Sequence, residues 1–322
     1  MLRRLGYVAM SLSIDASTSR TCRLRNATPE RLAALIGANL ADLLRVVEFN
    51  VDRGVSLYRI SSHLIPFASH PVNDRPWWDD FAGPLAEIAD VIAKSGMRVS
   101  VHPGQFTVLS SPNPKTVADS LRELEWHARL LDALRTDPSC KIILHVGGAY
   151  GGKPEAVARF VEVANRLPDA VRRRLVIEND DVTYTTAEVL DVSARTGLPI
   201  VFDWLHHKIN PGEDTGADTA RLIAACFNTW RPEDGLPKVH LSSQAEGGRT
   251  GSHADWIDPE DLLAFLQQTP DREFDCMLEA KKKDFALFRL REEWDLRRGK
   301  SGPPPPKAKG QGSRRSSGPT AS

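Results

Sequence analysis

The sequence lacks the features that mark disulfide-built, membrane-spanning and strongly charged proteins. Its four cysteines, Cys22, Cys140, Cys226 and Cys276, are scattered and form no Cys-x-x-Cys pair. That argues against a disulfide framework or a zinc ribbon and predicts reduced, mostly core thiols in a cytoplasmic protein. No run approaches the roughly 18 uninterrupted apolar residues of a membrane span. The opening MLRRLGYVAMSLSIDAS is apolar only briefly, broken by Gly6 and Tyr7 and closed by Asp15, so it reads as a first strand rather than a signal peptide. Net charge is also missing: 42 Lys and Arg balance 42 Asp and Glu, and the apolar share of 41% is that of an ordinary globular chain.

The neutral total hides an asymmetry. From Arg297 onward, RRGKSGPPPPKAKGQGSRRSSGPTAS holds seven basic residues and no acid, which leaves 35 basic against 42 acidic groups, a net of −7, over residues 1–296. With almost no large apolar side chains, residues 297–322 cannot bury enough surface to offset ordering entropy, and a disordered basic tail is expected there. Such a tail either adds weak, salt-sensitive attraction to nucleic acid or simply solubilises.

Eight short apolar or β-branched runs alternate with helical patterns: 4–11, 55–62, 97–102, 141–147, 174–179, 199–204, 237–243 and 275–281. Thr28 before Pro29 starts the first helix as a cap, and PLAEIADVIAKSG ends at a glycine suited to a helix C-terminus. Eight β-then-α units predict an α/β protein with a single (β/α)8 TIM barrel over residues 1–296. Periodicity leaves an open doubly wound sheet as the alternative.

Metal-type ligands recur at the C-terminal ends of these strands, where a barrel opens its active-site mouth. Strands three to eight end in His102, His145, Glu178, Asp203, His240 and Glu279. Alternation along a strand puts Ile143 below His145, Val176 below Glu178, Val201 below Asp203 and Met277 below Glu279, all on the interior face. One histidine in an apolar strand is usually a hydrogen-bonded core residue. Six imidazoles and carboxylates from successive strands point instead to a shared site, because each buried alone would cost free energy. Three histidines and three carboxylates without sulfur suit divalent Mn, Zn or Fe. Six ligands also exceed the needs of one four-coordinate ion, so at least two ions are expected, an arrangement suited to phosphodiester hydrolysis. Lys238, two residues before His240, should share its face, either as a neutral amine or as a carbamate that helps hold the ions, unless it reaches the rim.

In combination, ISSHLIPFASHP, VHPGQF, LHVGGAYG, IEND, DWLHHKINPG, PKVHLSSQ and LEAK resemble the UV damage endonuclease family, relatives of endonuclease IV among xylose-isomerase-like barrels, from near the N-terminus to about residue 283. The resemblance implies a repair nuclease that nicks immediately 5′ to UV photoproducts and leaves a 3′-hydroxyl and a 5′-phosphate. It implies His102, His145 and Glu178 on one ion, Glu178 bridging to a second held by Asp203, His240 and Glu279, and His206 with His253 on a third. Two to three Mn2+ are implied, although the residue types also accept Zn2+. Glu178 and Lys238 are the expected catalytic residues. Gln105 and Phe106 would probe the duplex at the lesion, with Tyr7 nearby and His70 along the DNA path; relatives with tyrosine at position 106 keep the stacking and add a hydroxyl. His63 and His207 are left as structural groups, and Arg59 or Arg249 as phosphate contacts. The implied partner is UV-damaged double-stranded DNA, met by a monomer in the cytoplasm at the nucleoid. A sugar isomerase or epimerase, an abasic-site endonuclease and a non-catalytic damage-binding protein are the competing readings. The second histidine pair, His206 and His253, argues against the first.

Overall fold

The computed structural model describes residues 1–213 and 218–297. Apart from Arg297, the expected basic tail therefore lies outside the described residues. Eight parallel strands close into a barrel in the order of the chain: β1 (Leu2–Ala9), β2 (Leu57–Ile60), β3 (Arg98–Val101), β4 (Lys141–His145), β5 (Leu175–Glu178), β6 (Ile200–Asp203), β7 (Lys238–Leu241) and β8 (Phe274–Leu278). Each expected strand is present, shifted by a few residues at its ends. The closed order removes the open-sheet alternative.

Helices follow the strands where the sequence predicts them. The first, Pro29–Asp52, is capped by Thr28, whose hydroxyl accepts the Arg31 N–H, and has Pro29 at its start. Helix Ala82–Ser95 ends at Gly96, which takes the left-handed conformation (φ 64°) that stops a helix. Helix Thr186–Thr196 carries a full capping box between Thr185 and Glu188. The last helix, Lys283–Arg297, closes the ring of helices against β1.

Alternation sorts each strand into two faces. Outward residues such as Leu144, Ile177, Phe202, Val239 and Leu278 pack with the helices in the main core. Inward residues form small separate clusters inside the barrel, Ile143, Val176 and Val201 in one and Val8, Leu57 and Met277 in another. These include the four apolar residues expected beneath the ligands. Gly6 sits where β1 meets β2 so closely that a Cβ would lie 2.3 Å from the Leu57 carbonyl oxygen, so no other residue fits there without moving the strand.

Candidate metal centre and nucleic-acid interface

The barrel register brings the ligand-type residues side by side. His145 pairs with Glu178 across β4 and β5, and Asp203 with His240 across β6 and β7. His102 follows β3 directly and Glu279 follows β8, so both add to the same layer. Three groups offer converging atoms within 4.8 Å of one another: His102, His145 and Glu178; Glu178, Asp203 and His206; Glu178, His240 and Glu279. Glu178 belongs to all three and is 1% exposed.

The contacts around Glu178 are close. Its Oε2 lies 3.1 Å from His102 Nε2 and 3.6 Å from His145 Nε2, while Oε1 lies 2.5 Å from His240 Nδ1. Imidazole rings continue across the mouth, with centroids 5.2 Å apart for His102 and His145, 5.6 Å for His145 and His206, and 6.4 Å for His206 and His253. His253 joins none of the three groups; its Nδ1 is 3.8 Å from Glu279 Oε2. The geometry thus gathers Asp203 with His206 more tightly than with His240 and Glu279.

The residue after Asp203 starts a short helix, Trp204–Ile209, where the sequence suggests a turn. Asp203 caps it by accepting the His206 N–H at 2.8 Å. One carboxylate oxygen is thereby used in positioning His206, and the other, Oδ2, is buried without a hydrogen-bond partner. His207, on the far side of this helix, turns outward toward Thr186 Oγ1 (3.1 Å) and the Phe202 ring, as a structural group.

Two supporting contacts escaped sequence reasoning. Asn179, next to Glu178, exchanges two hydrogen bonds with the backbone of Asp203 (2.9 and 3.0 Å), and its carbonyl accepts from His206 Nδ1 at 3.0 Å. That contact leaves Nε2 of His206 free to serve as a ligand. The Pro103 carbonyl does the same for His102 Nδ1 at 3.1 Å. The adjacency of Asn179 to Glu178 in IEND is the only sequence signal for this role.

The electrostatics describe a site built for cations. Burial, reinforced by the Glu178 and Glu279 carboxylates, lifts Asp203 to about 7. Burial opposes charge on His206, yet Asp203 and Glu178 together raise it to about 9. Burial pushes His240 down to about 4 and His145 below its ordinary value. Glu178 is held well below the carboxylate range against its own burial by His240 and His145. Orphaned buried atoms, Asp203 Oδ2 and His145 Nδ1, accompany this excess of acceptors. Nitrogen and oxygen donors converging in this way fit divalent metal ions.

Lys238 faces the barrel interior beneath His240, fully buried, with no hydrogen-bond partner for its Nζ. Burial, then the nearby Arg98, hold its pKa well below the usual lysine value. It does not reach the rim. Arg59 is also turned inward rather than toward a phosphate path: its Nη2 is 2.5 Å from Glu279 Oε1 and 2.7 Å from His240 Nε2. Arg249 is exposed.

The expected probing residues divide. Gln105 and Phe106 are exposed on the loop after β3, Phe106 at 67%. Tyr7 does not belong with them. It is fully buried on the outward face of β1, its hydroxyl donating to Asn50 Oδ1 at 2.8 Å and its ring packed against Tyr58, because residue 7 has the helix-facing parity of the strand. His70 is exposed, its Nδ1 accepting the Val72 N–H within its own turn, and stands outside the cavity over the ligands. His63, read as structural from sequence, does line that cavity, which has a volume of about 780 Å³ and also reaches His102, Gln105, Tyr150 and His253.

Comparison with known proteins points one way. Residues 3–300 match the UV-endonuclease family UvdE. The chain is 39% identical over 313 residues to a UV DNA damage endonuclease of Bacillus velezensis, covering 93% of this chain and 96% of the relative, and 35% identical over 309 residues to one of Bacillus cereus, with the same coverage. It superposes on the crystal structure of SacUVDE with a TM-score of 0.84 at 35% identity, covering 91% of this chain and 99% of the other. Endonuclease IV of Thermus thermophilus (TM-score 0.57, 20% identity, 91% and 100% covered) and an L-ribulose 3-epimerase (0.54, 17%, 91% and 87%) share the barrel architecture.

Proposed function

Because the chain belongs to the UV-endonuclease UvdE family, we propose that it is a metal-dependent repair endonuclease acting on UV-damaged double-stranded DNA. In this reading it nicks the phosphodiester immediately 5′ to cyclobutane dimers and 6-4 photoproducts, leaving a 3′-hydroxyl and a 5′-phosphate. The observation that carries it is the trio of overlapping ligand groups sharing Glu178, set beneath an open mouth whose rim exposes Gln105 and Phe106.

His102, His145, Glu178, Asp203, His206, His240, His253 and Glu279 would hold two to three Mn2+, with Zn2+ also suited to the donors. Such ions supply an activated water and stabilise the leaving oxygen of an in-line displacement. Glu178 links the ligand groups and fixes their spacing. The Asn179 carbonyl orients the His206 ring through Nδ1, while Asp203 holds the His206 backbone N–H. Lys238, an unpaired amine directly below His240, is suited to a role beside Glu178, either as the neutral amine or as a carbamate formed with carbon dioxide by release of one proton.

At the rim, Phe106 fills the gap left when the two joined bases leave the stack, and Gln105 offers hydrogen bonds to the bases opposite. Photoproducts stack and pair poorly, so their extrusion costs less than that of intact bases, which supplies selectivity. Ions held by these residues would offset the body's negative charge at the mouth. The chain acts as a monomer at the nucleoid in this reading, and no described helix is long and apolar enough to cross a membrane.

The test is a labelled duplex with one cyclobutane dimer, incubated with the protein and Mn2+ beside undamaged and abasic duplexes. A nick 5′ to the dimer, lost on chelation, is expected. Cleavage of the abasic duplex alone would transfer the assignment to abasic-site repair. No cleavage of any duplex would remove the nuclease reading.

A further inference from the structure

The chain has seven Trp, four Tyr and eleven Phe. Among the described residues, only two of these aromatic side chains are exposed: Phe106 at 67% and Tyr150 at 53%. Both stand on the mouth side of the barrel, on the successive loops after β3 and β4. Every other aromatic ring is buried or half-buried, so two rings left mostly in water on adjacent loops at the mouth fit contact rather than packing.

The two loops share a local design. Each aromatic lies two residues after a glycine, in Gly104-Gln105-Phe106 and in Gly148-Ala149-Tyr150. In both, the ring folds back over that glycine. A Cβ on Gly104 would lie 2.5 Å from Phe106 Cε1, and one on Gly148 would lie 2.8 Å from Tyr150 Cε2. The missing side chain lets the ring lie against bare backbone and keep its other face open.

The backbones of the two loops are also tied together. Arg159, in helix Lys153–Ala164, donates from Nε to the Ser110 carbonyl at 2.8 Å and from Nη2 to the Tyr150 carbonyl. The Ser110 hydroxyl donates to the Gly148 carbonyl at 3.2 Å. Gly147, Gly151 and Gly152 adopt positive φ values of 101°, 80° and 115°, so the segment around Tyr150 takes a shape that other residues would strain. The Tyr150 backbone is thus fixed to the loop that carries Gln105 and Phe106, while no hydrogen bond to its hydroxyl is found among the described residues.

We propose that Tyr150 is a second base-stacking residue of the DNA interface, acting beside Phe106 on a neighbouring nucleobase of the same damaged duplex. The inference rests on the nuclease reading above. A tyrosine ring on a preorganised loop contributes contact area at little entropic cost, and stacking on a base tolerates any base identity. Tyr150 lines the same cavity as His102, His145 and His253, which places the stacked base next to the scissile phosphate. Phe106 fills the space vacated by the lesion, and Tyr150 steadies the strand that flanks it.

The test compares wild type with Tyr150→Ala, Tyr150→Phe and Tyr150→Trp in nicking of the dimer-bearing duplex with Mn2+. It is accompanied by fluorescence of 2-aminopurine placed at positions flanking the dimer. Stacking predicts that Tyr150→Ala raises KM by about tenfold, with a small change in kcat and an unchanged metal content. It further predicts that Tyr150→Phe and Tyr150→Trp stay within about twofold of wild type, and that quenching at one flanking position is lost only in the alanine variant. A KM for Tyr150→Ala within twofold of wild type overturns the proposal, as does a phenylalanine variant as weak as alanine. If wild type does not nick the dimer, it is the nuclease reading that fails. A lowered melting temperature in Tyr150→Ala is controlled by the phenylalanine and tryptophan variants, which must then still show wild-type quenching.

Discussion

Charged side chains occupy the barrel interior at two levels, and the two are satisfied in opposite ways. At the floor, Arg98 donates to Asp275 (2.8 Å) and to the carbonyls of Ser139, Leu236 and Asp234, Arg4 adds a second contact to Asp275 at 3.2 Å, and Lys141 pairs with Asp234 at 2.6 Å. Cation and anion are matched there almost atom for atom. At the mouth, carboxylates and imidazoles crowd together, Arg59 pairs with Glu279, and polar atoms of Asp203 and His145 are left without partners. Both levels are costly to bury. The floor has its compensation within the protein, whereas the mouth has most of it still to be supplied, and that difference separates a structural network from a site for ligands. Lys238 lies on the same interior face as His240 and in register with Asp275 of the floor, and unlike its floor neighbours it is unpaired.

Breaking one partner at each level tests the contrast most directly. Asp275→Ala leaves the buried Arg98 uncompensated and should cost about 3–5 kcal/mol of folding stability. That loss appears as a lower urea midpoint, while the remaining folded protein keeps its metal content. Glu178→Gln should do the reverse. Metal content measured by elemental analysis should fall, and nicking should drop by roughly 10^3-fold if ion-borne stabilisation of several kcal/mol is lost, with a smaller fall in the metal-free urea midpoint than Asp275→Ala causes. Full metal retention in Glu178→Gln would contradict its place at the junction of the three groups. Asn179→Ala acts one step removed and should weaken metal binding about 10- to 100-fold in titration calorimetry.

The barrel was legible because its determinants are local and repetitive. Eight strand signals, caps such as Thr28 and a stop such as Gly96 each act over a few residues, and alternation placed Val176 under Glu178 without any tertiary knowledge. The convergence of the ligand-type residues followed from the same logic, since strand ends in a barrel share one rim. What alternation offers it also withholds. Tyr7 lies on the outward face by the same parity that puts Gly6 and Val8 inside, and a motif likeness at that position outweighed the rule that would have corrected it. The short helix after Asp203 was not legible because its start depends on a carboxylate that also belongs to the mouth. The inward turn of Arg59, the support from Asn179 and the reach of Arg159 to Ser110 depend on contacts between residues 24 to 220 positions apart, which no window of sequence contains.

A final, smaller effect separates the two levels by acid. At the floor, Asp234 is buried, which by itself would raise its pKa, but hydrogen bonds from Arg231 and Lys141 win and hold it below the usual aspartate value. A carboxyl with a depressed folded-state pKa contributes stability that is present above the unfolded value, near pH 4, and is lost as pH falls through the lower folded value. The floor should therefore hold firm through mild acid and weaken only below about pH 4. Asp234→Asn removes that proton-linked term. Its stability curve, measured by urea unfolding from pH 6 downward, should be lower overall and flatter than wild type below about pH 4. An equally steep acid limb in Asp234→Asn would show that the floor pair is not what acid breaks, and would turn attention to the carboxylates of the mouth.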